Sequence, residues 1–248
     1  MKCKLCNQEK VLIKKSHIFS EFLHKELFDE NHKLRKFEVR EMMKVAPKIS
    51  KPSSGSYESN LLCNDCDNVI LNRYENYVSR ALMLNFKDVK NPKCIKSQRN
   101  GINFIDVKNI AYKETKLFLL SLLWRAHISS LEEYKDVSLG PYGERIRRQL
   151  INGDPSTDDD IQISIFKFQK GSGFDSFIGQ PIKYSIELTT AYSIIINGHL
   201  IVFYLKENTY SKILKNERLK VDNSISLIEL PKEKIENFVM HYVGVKNN

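Results

Sequence analysis

Across 248 residues the chain has only five cysteines, seven prolines, ten glycines and a single tryptophan. It has no uninterrupted apolar run of the ~18 residues that a spanning helix needs. The longest apolar stretch, 117–124, is short and broken by Ser121. The polar run 3–9 is followed by no apolar segment of leader type, so no secretory signal is expected and no membrane partner either. There is no Gly-rich phosphate loop and no nucleophile elbow, which argues against a P-loop nucleotidase or a serine hydrolase. No internal repeat or low-complexity tract is visible.

What is present is positive charge and a real apolar complement. Lys and Arg total 39 against 30 Asp and Glu, a formal net charge of +9, and 42% of the residues are hydrophobic. The excess is concentrated toward the N-terminus, where Lys2, Lys4, Lys10, Lys14, Lys15, Lys25 and Lys33 through Lys51 outnumber the acids. Such a balance favours a polyanionic partner, because lysines and arginines near phosphates release counterions. Charge alone is a weak signal, since a solvated basic surface carries it as well.

Four of the five cysteines fall into two Cys-x-x-Cys pairs, Cys3/Cys6 and Cys63/Cys66, and Cys94 stands apart. Two such pairs supply the four thiolates of a closed tetrahedral Zn²⁺ site, structural because no position is left open for water. Disulfides are the competing use of such cysteines. Reduced, metal-ready thiols fit a cytoplasmic protein better than a secreted one. A metal joining the two pairs would close a loop over residues 7–62, and His17 lies inside it.

Hydrophobic periodicity gives an α+β reading with two domains, an N-terminal zinc-stapled module over 1–90 and a helical then β-rich region over 91–248. A helix is expected from Ser16, with Ile18, Phe19, Phe22, Leu23 and Leu27 on one face and Ser16 or Ser20 as cap. Residues 29–58 read as polar and irregular, with a strand near 37–39 and turns at Pro47, Pro52 and 53–55. Beyond Cys66, the spacing of Val69, Ile70, Tyr74, Tyr77, Val78, Ala81 and Leu82 predicts another helix. Residues 87–101 read as a connector with turns at 91–92 and 100–101, followed by a strand over 102–107. Helices are predicted over 113–131 and 143–151, and an acidic break at 158–160. The period then becomes twofold: strands at 161–168, around 184–188, a hairpin of 192–196 and 199–205 about Asn197-Gly198, and 219–229. A closing helix is expected over 233–243.

Ser16-His17-Ile18, Asn60-Leu61-Leu62-Cys63 and Cys66-Asp67-Asn68 together resemble the HNH endonucleases, the ββα-metal nucleases, over residues 1–85. In that family a catalytic histidine follows an apolar strand, an asparagine precedes an apolar pair and Cys-x-x-Cys, and a His or Asn opens the next helix. The resemblance implies a ββα-metal-like fold for this module and phosphodiester hydrolysis of DNA, in a setting such as bacterial defence or restriction. It implies His17, Asn60 and Asp67 as catalytic residues. Chemically, a neutral imidazole at His17 suits a general base near pH 7. Asp67 is a hard oxygen ligand for Mg²⁺ or Mn²⁺, with the amide oxygen of Asn68 assisting. Asn60 would orient His17 or hold the loop. The chain departs from the family pattern in places: Ser16 stands where an Asp is usual, Asp67 where His or Asn is usual, and Phe19-Ser20 lacks a common Pro. These departures suit a second reading, a non-catalytic zinc-dependent nucleic-acid-binding or regulatory protein on the same scaffold. A protein-interaction module is a third.

Each further candidate has a bland reading. Asp67 also suits a helix N-cap. Glu75 lies two turns beyond Asp67 and either reaches the same face or forms a surface ion pair. Trp124 reads as core. Arg125 and His127 face either a substrate groove or, more commonly, solvent and a satisfied histidine site. Arg145, Arg147 and Arg148 read as a phosphate-contacting cluster or a solvated helix face. His199 reads as exposed beside its turn, and Cys94 as an ordinary thiol. No catalytic motif is recognised over 105–248.

Overall fold

The helix α2 (Tyr112–Ile128) runs through the centre of the molecule and is covered on nearly every side, with all of 117–126 buried. A helix apolar around its whole circumference must be packed on several faces. Here α1 (Asn72–Ala81) and α3 (Pro141–Asn152) lie against it. Leu117, Leu120, Leu123 and Trp124 are inside as expected. The computed structural model describes residues 1–36, 48–81, 93–172, 175–231 and 233–235. The expected strand at 37–39, the turns at Pro47 and 91–92, Leu82 and most of the closing helix lie outside the described residues.

The fold is α+β, as the periodicity indicates. One hydrophobic cluster runs from Cys3 and Leu5 through α2 and α3 to Phe203 and Leu227, so the N-terminal knuckle and the C-terminal sheet share a core. The Lys4 ammonium donates to the Ile128 carbonyl at 2.7 Å, and Arg147 donates to the Leu5 carbonyl, tying the first knuckle to the end of α2 and the middle of α3.

Two short strands, β1 (Ser16–His17) and β2 (Tyr57–Glu58), pair antiparallel with His17 opposite Tyr57. A helix starting at Ser16 is therefore not formed. The Ile18 amide donates to the Ser56 carbonyl at 3.0 Å, keeping the chain extended past His17, and a 3-10 helix follows over Glu21–Leu27. Ser20 precedes it without a side-chain cap. The apolar spacing still marks the inward face, since Ile18, Phe19 and Leu23 are buried.

After Cys66 the chain winds first as a π-helical segment, Asp65–Leu71, and then as α1. A π turn holds extra residues and rotates the side chains that follow. Leu71, Tyr74, Val78 and Ala81 consequently face the core, while Val69, expected inside, is exposed.

Seven strands form the large sheet: β3 (Lys93–Arg99), β4 (Ile102–Lys108), β5 (Gln162–Phe168), β6 (Ile182–Ile186), β7 (Thr189–Ile196), β8 (His199–Tyr204) and β9 (Ser224–Leu230). Their order is β3-β4-β9-β5-β8-β7-β6, antiparallel except for the β5–β9 pair. Asn197 and Gly198 both have positive φ, as the tight β7–β8 hairpin turn requires. Asn100 and Gly101 do the same between β3 and β4. The supposed connector thus contains a strand. β3 (KCIKSQR) is largely exposed on one sheet edge and lacks a buried face, so no twofold apolar pattern betrays it.

α3 begins with Pro141 at its first turn and ends at Gly153 in the left-handed region, where the Gly153 amide reaches back to the Gln149 and Leu150 carbonyls. Its arginines are occupied within the chain. Arg145 pairs with Asp160 at 2.7 Å, and Arg147 and Arg148 share Glu144 at 2.7 and 2.9 Å. The acidic break is likewise used internally, with Arg218 on Asp158 and Asp159. Arg145 and Arg148 stay exposed while paired, the arrangement of a solvated helix face.

Lys116 on α2 is 1% exposed. Its ammonium donates to the Tyr112 hydroxyl at 3.0 Å, the Thr157 carbonyl at 2.6 Å and the Asp160 carbonyl. Burial pulls its pKa down to about 8, against the opposing pull of Asp160 and Asp158. An unfolded lysine titrates near ~10.4. Between those values the unfolded chain holds a proton that the folded chain has released, so this group's contribution to stability rises with pH. Below about 8 both states are protonated and the cost of burying the charge is fully present. Urea melts from pH 7.5 to 9.5 are expected to show wild type gaining on Lys116→Met, with a slope approaching ~1.4 kcal/mol per pH unit. Parallel curves would contradict the assignment.

Candidate functional site

The four cysteines of the two pairs converge. Their sulfurs all lie within 4.8 Å of one another, and Cys6 Sγ is 4.0 Å from Cys63 Sγ. A tetrahedron of thiolates at ~2.3 Å from an ion has edges of about 3.8 Å, so the sulfurs need little movement to share one ion. All four are free thiols. The backbone holds them there. The Lys4 amide donates to the Leu61 carbonyl at 2.9 Å, the Ile13 amide to the Leu62 carbonyl at 2.9 Å, and Leu12 bridges Cys63. The Cys63 amide donates to Cys3 Sγ at 3.3 Å, a contact that orients a ligand and stabilises its anion. Burial alone would raise the Cys3 thiol. Amide hydrogen bonds from Cys6, Cys63 and Leu5 outweigh it and bring the pKa down to about 7. Burial and the neighbouring sulfurs push Cys66 up. Among the described residues this is the only group of three or more Cys, His, Asp or Glu side chains close enough to hold a metal ion.

Beside the sulfurs lies a second cluster, charged and partly open. Ser16 Oγ donates to Asp67 Oδ1 at 3.0 Å, so β1 is joined directly to the turn after Cys66. Arg125, 3% exposed in its side chain, reaches from α2 to Asp67 Oδ1 at 3.6 Å and to Glu75 Oε1 at 2.7 Å. Its Nε is buried without a hydrogen-bond partner. Burial raises the Asp67 pKa, opposed by Arg125 and the Ser16 hydroxyl; Glu75 raises it further and nearby His17 lowers it. His17 Nε2 lies 2.8 Å from Glu21 Oε2, and the ring meets Tyr57 edge-on at 6.1 Å between centroids.

The residues expected at the site separate accordingly. His17 and Asp67 come into one electrostatic neighbourhood, with Glu75 joined to it through Arg125. Asp67 is not an N-cap, since its carboxylate meets Ser16 and Arg125 rather than a helix amide. Asn68 is exposed, and its amide donates to Asn64 Oδ1 at 2.8 Å. Asn60 is exposed with φ 63°, and its amide donates to the Ile13 carbonyl at 3.1 Å. It serves the turn into the second knuckle, and among the described residues its side chain makes no hydrogen bond to His17. His127 is satisfied beside the Val137 carbonyl and the Leu139 amide. His199 is half-buried rather than exposed, with Nδ1 2.9 Å from the Asn197 carbonyl. Cys94 is exposed on the edge strand.

One participant was misplaced by the sequence reading and another was missed. Arg125, expected to face a substrate groove or, more commonly, solvent, is a buried ion-pair centre; the available signal was a lone cation inside an otherwise apolar helical run. Glu21 was readable from its spacing four residues after His17, but only if the backbone turns immediately after Ser20. No protein-family model, curated protein or solved structure matches the chain.

If the sulfur cluster holds a metal, elemental analysis of the purified chain is expected to find about one thiophilic ion per molecule. Cys63→Ser is expected to lose most of it and to lower the thermal midpoint by several degrees, because the lost thiolate ligand weakens an ion that holds the two knuckles together. Metal-free protein with an unchanged midpoint would contradict this.

Proposed function

We propose that this chain is an HNH-like endonuclease that hydrolyses phosphodiester bonds of DNA, with a structural Zn²⁺ on Cys3, Cys6, Cys63 and Cys66. The observation that carries the reading is the Ser16–Asp67 hydrogen bond. It fixes the strand bearing His17 against the turn bearing Asp67, beside the sulfur cluster. Hydrolysis needs a base for water, and His17 fills that role with Glu21 orienting its ring through Nε2. Asp67 would hold a Mg²⁺ or Mn²⁺ ion that supplies charge for the scissile phosphate and the leaving oxygen. The Ser16 and Arg125 contacts of Asp67 both fall on Oδ1, leaving Oδ2 for a cation. One carboxylate suffices for Mg²⁺, which keeps several of its waters. The net charge of +9 supports a nucleic-acid partner, and defence against foreign DNA suits such an activity.

A second reading is favoured by Arg125. A buried guanidinium between Asp67 and Glu75 supplies the positive charge that a divalent ion would otherwise bring. On that reading the scaffold binds nucleic acid without cutting it.

Nicking of a supercoiled plasmid with Mg²⁺ or Mn²⁺ separates the two. Wild type is expected to nick, and His17→Ala to lose ~100-fold or more of the rate. Nicking that survives His17→Ala refutes the mechanism. Salt-sensitive DNA binding without nicking selects the second reading.

A further inference from the structure

The β1–β2 ribbon has two faces of opposite character. Successive side chains of a strand alternate sides, and directly paired residues share one. Ser16 and its partner Glu58 turn inward. Ser16 is fully buried on Asp67. The Glu58 carboxylate accepts from the Ser129 hydroxyl at 2.7 Å and from the Ser130 amide and hydroxyl at 2.9 and 2.6 Å. The ribbon's carboxylate is thus spent on the interior.

The outer face carries His17, its partner Tyr57 and, two residues before His17, Lys15. The Lys15 ammonium lies 4.9 Å from the centroid of the Tyr57 ring, and that ring meets His17 edge-on at 6.1 Å. Together the two distances keep the ammonium within 11 Å of the imidazole centroid. One strand of DNA advances ~3.4 Å per nucleotide, so a phosphate at Lys15 and one at His17 belong to the same few nucleotides. Tyr57 is 39% exposed, an aromatic ring in the open rather than in a core. Lys14 and Lys15 are exposed, and among the described residues neither pairs with a carboxylate. Glu21, the acid that reaches this face, is engaged by His17 Nε2 at 2.8 Å. A cation–π contact at an exposed site is weak, so a phosphate can draw the Lys15 ammonium to itself.

We propose that the outer face of the ribbon is a track for single-stranded nucleic acid, with an unpaired base stacked on Tyr57 and a neighbouring phosphate on Lys15. An aromatic platform beside an unneutralised cation is the combination that holds single strands without reading their sequence. A base inside a duplex is already stacked on both faces and has none to offer Tyr57. The inference rests on the nucleic-acid reading of the His17 site and narrows its substrate to unpaired segments.

The test measures binding of a short fluorescent oligonucleotide, single-stranded or annealed to its complement, to the full chain without added divalent ion, so that hydrolysis does not intervene. Tighter binding of the single strand is expected. Tyr57→Leu is expected to weaken it about tenfold and to leave duplex binding unchanged, whereas Tyr57→Phe keeps the wild-type affinity. Lys15→Gln is expected to lower the salt slope of single-strand binding by about 0.7, and Lys15→Arg to restore it. No salt-sensitive binding, a duplex bound as well as the single strand, single-strand affinity that Tyr57→Leu leaves unaltered, or a slope that Lys15→Gln leaves unaltered overturns the proposal. Should Tyr57→Leu not fold, ultraviolet crosslinking of a 5-iododeoxyuridine oligonucleotide to the wild-type chain answers in its place. The crosslink is expected at Tyr57, and crosslinks confined to other residues overturn the assignment. Tyr57-dependent binding without nicking leaves the track standing and removes the nuclease. Nicking with wild-type KM in both Tyr57→Leu and Lys15→Gln keeps the nuclease and removes the track.

Discussion

Everything in the N-terminal part depends on two backbone segments, remote in sequence, meeting at four sulfurs. Each segment adds hydrogen bonds to the other beyond its own. The first knuckle borrows carbonyls from 61 and 62, and the second donates an amide to a sulfur of the first. Loop closure over more than fifty residues costs conformational entropy, and among the described residues of this loop only two two-residue strands and one 3-10 helix stand to offset it. A shared ion would supply that compensation at one point. Apolar contacts of Leu5, Leu12, Leu61 and Leu62 supply another share by joining the knuckles to the core around α2.

From that junction the charged cluster follows almost by connectivity. Cys66 is followed directly by Asp67, and β1 begins three residues after Ile13, whose amide is bonded to the 62 carbonyl. Fixing the knuckles therefore brings Ser16 within reach of Asp67. Arg125 enters from a different part of the chain, and its burial is tolerable because two carboxylates face it. Removing either carboxylate would leave a cation deep in the protein with half its compensation. On the proposed function the cluster is structural and chemical at once, and variants of Arg125 report on both.

The amount legible in the sequence tracks how much each feature depends on local pattern. The cysteine spacing announced its cluster, because metal ligands come in short motifs. Helix α3 and the strands β5 and β6 were visible because their apolar residues repeat at the period of the element, α2 because a long apolar stretch runs without Pro or Gly, and β7 and β8 because Asn197-Gly198 marks the turn between them. The strand β1 was hidden since its partner is forty residues away and each strand has only two paired residues. β3 was hidden because an exposed edge strand needs no apolar alternation. The π turn after Cys66 displaced Val69 outward through backbone winding that no side-chain period encodes. Arg125 and Asp67 met through tertiary packing alone, and the turn at Asn60 and the bond of Asn68 back to Asn64 are local backbone matters that no side-chain period encodes.

The parallel pairing of β5 with β9 has a consequence for how the molecule is made. β9 is the last strand among the described residues, yet it lies inside the seven-stranded sheet, between β4 and β5. Until residues 224–230 have left the ribosome, the hairpin of β3 and β4 and the group β5 to β8 are two separate ribbons, each with an open inner edge. Placing residues 224–230 therefore slides a keystone into a gap. A chain cut before residue 224 would carry two sticky half-sheets rather than one closed sheet.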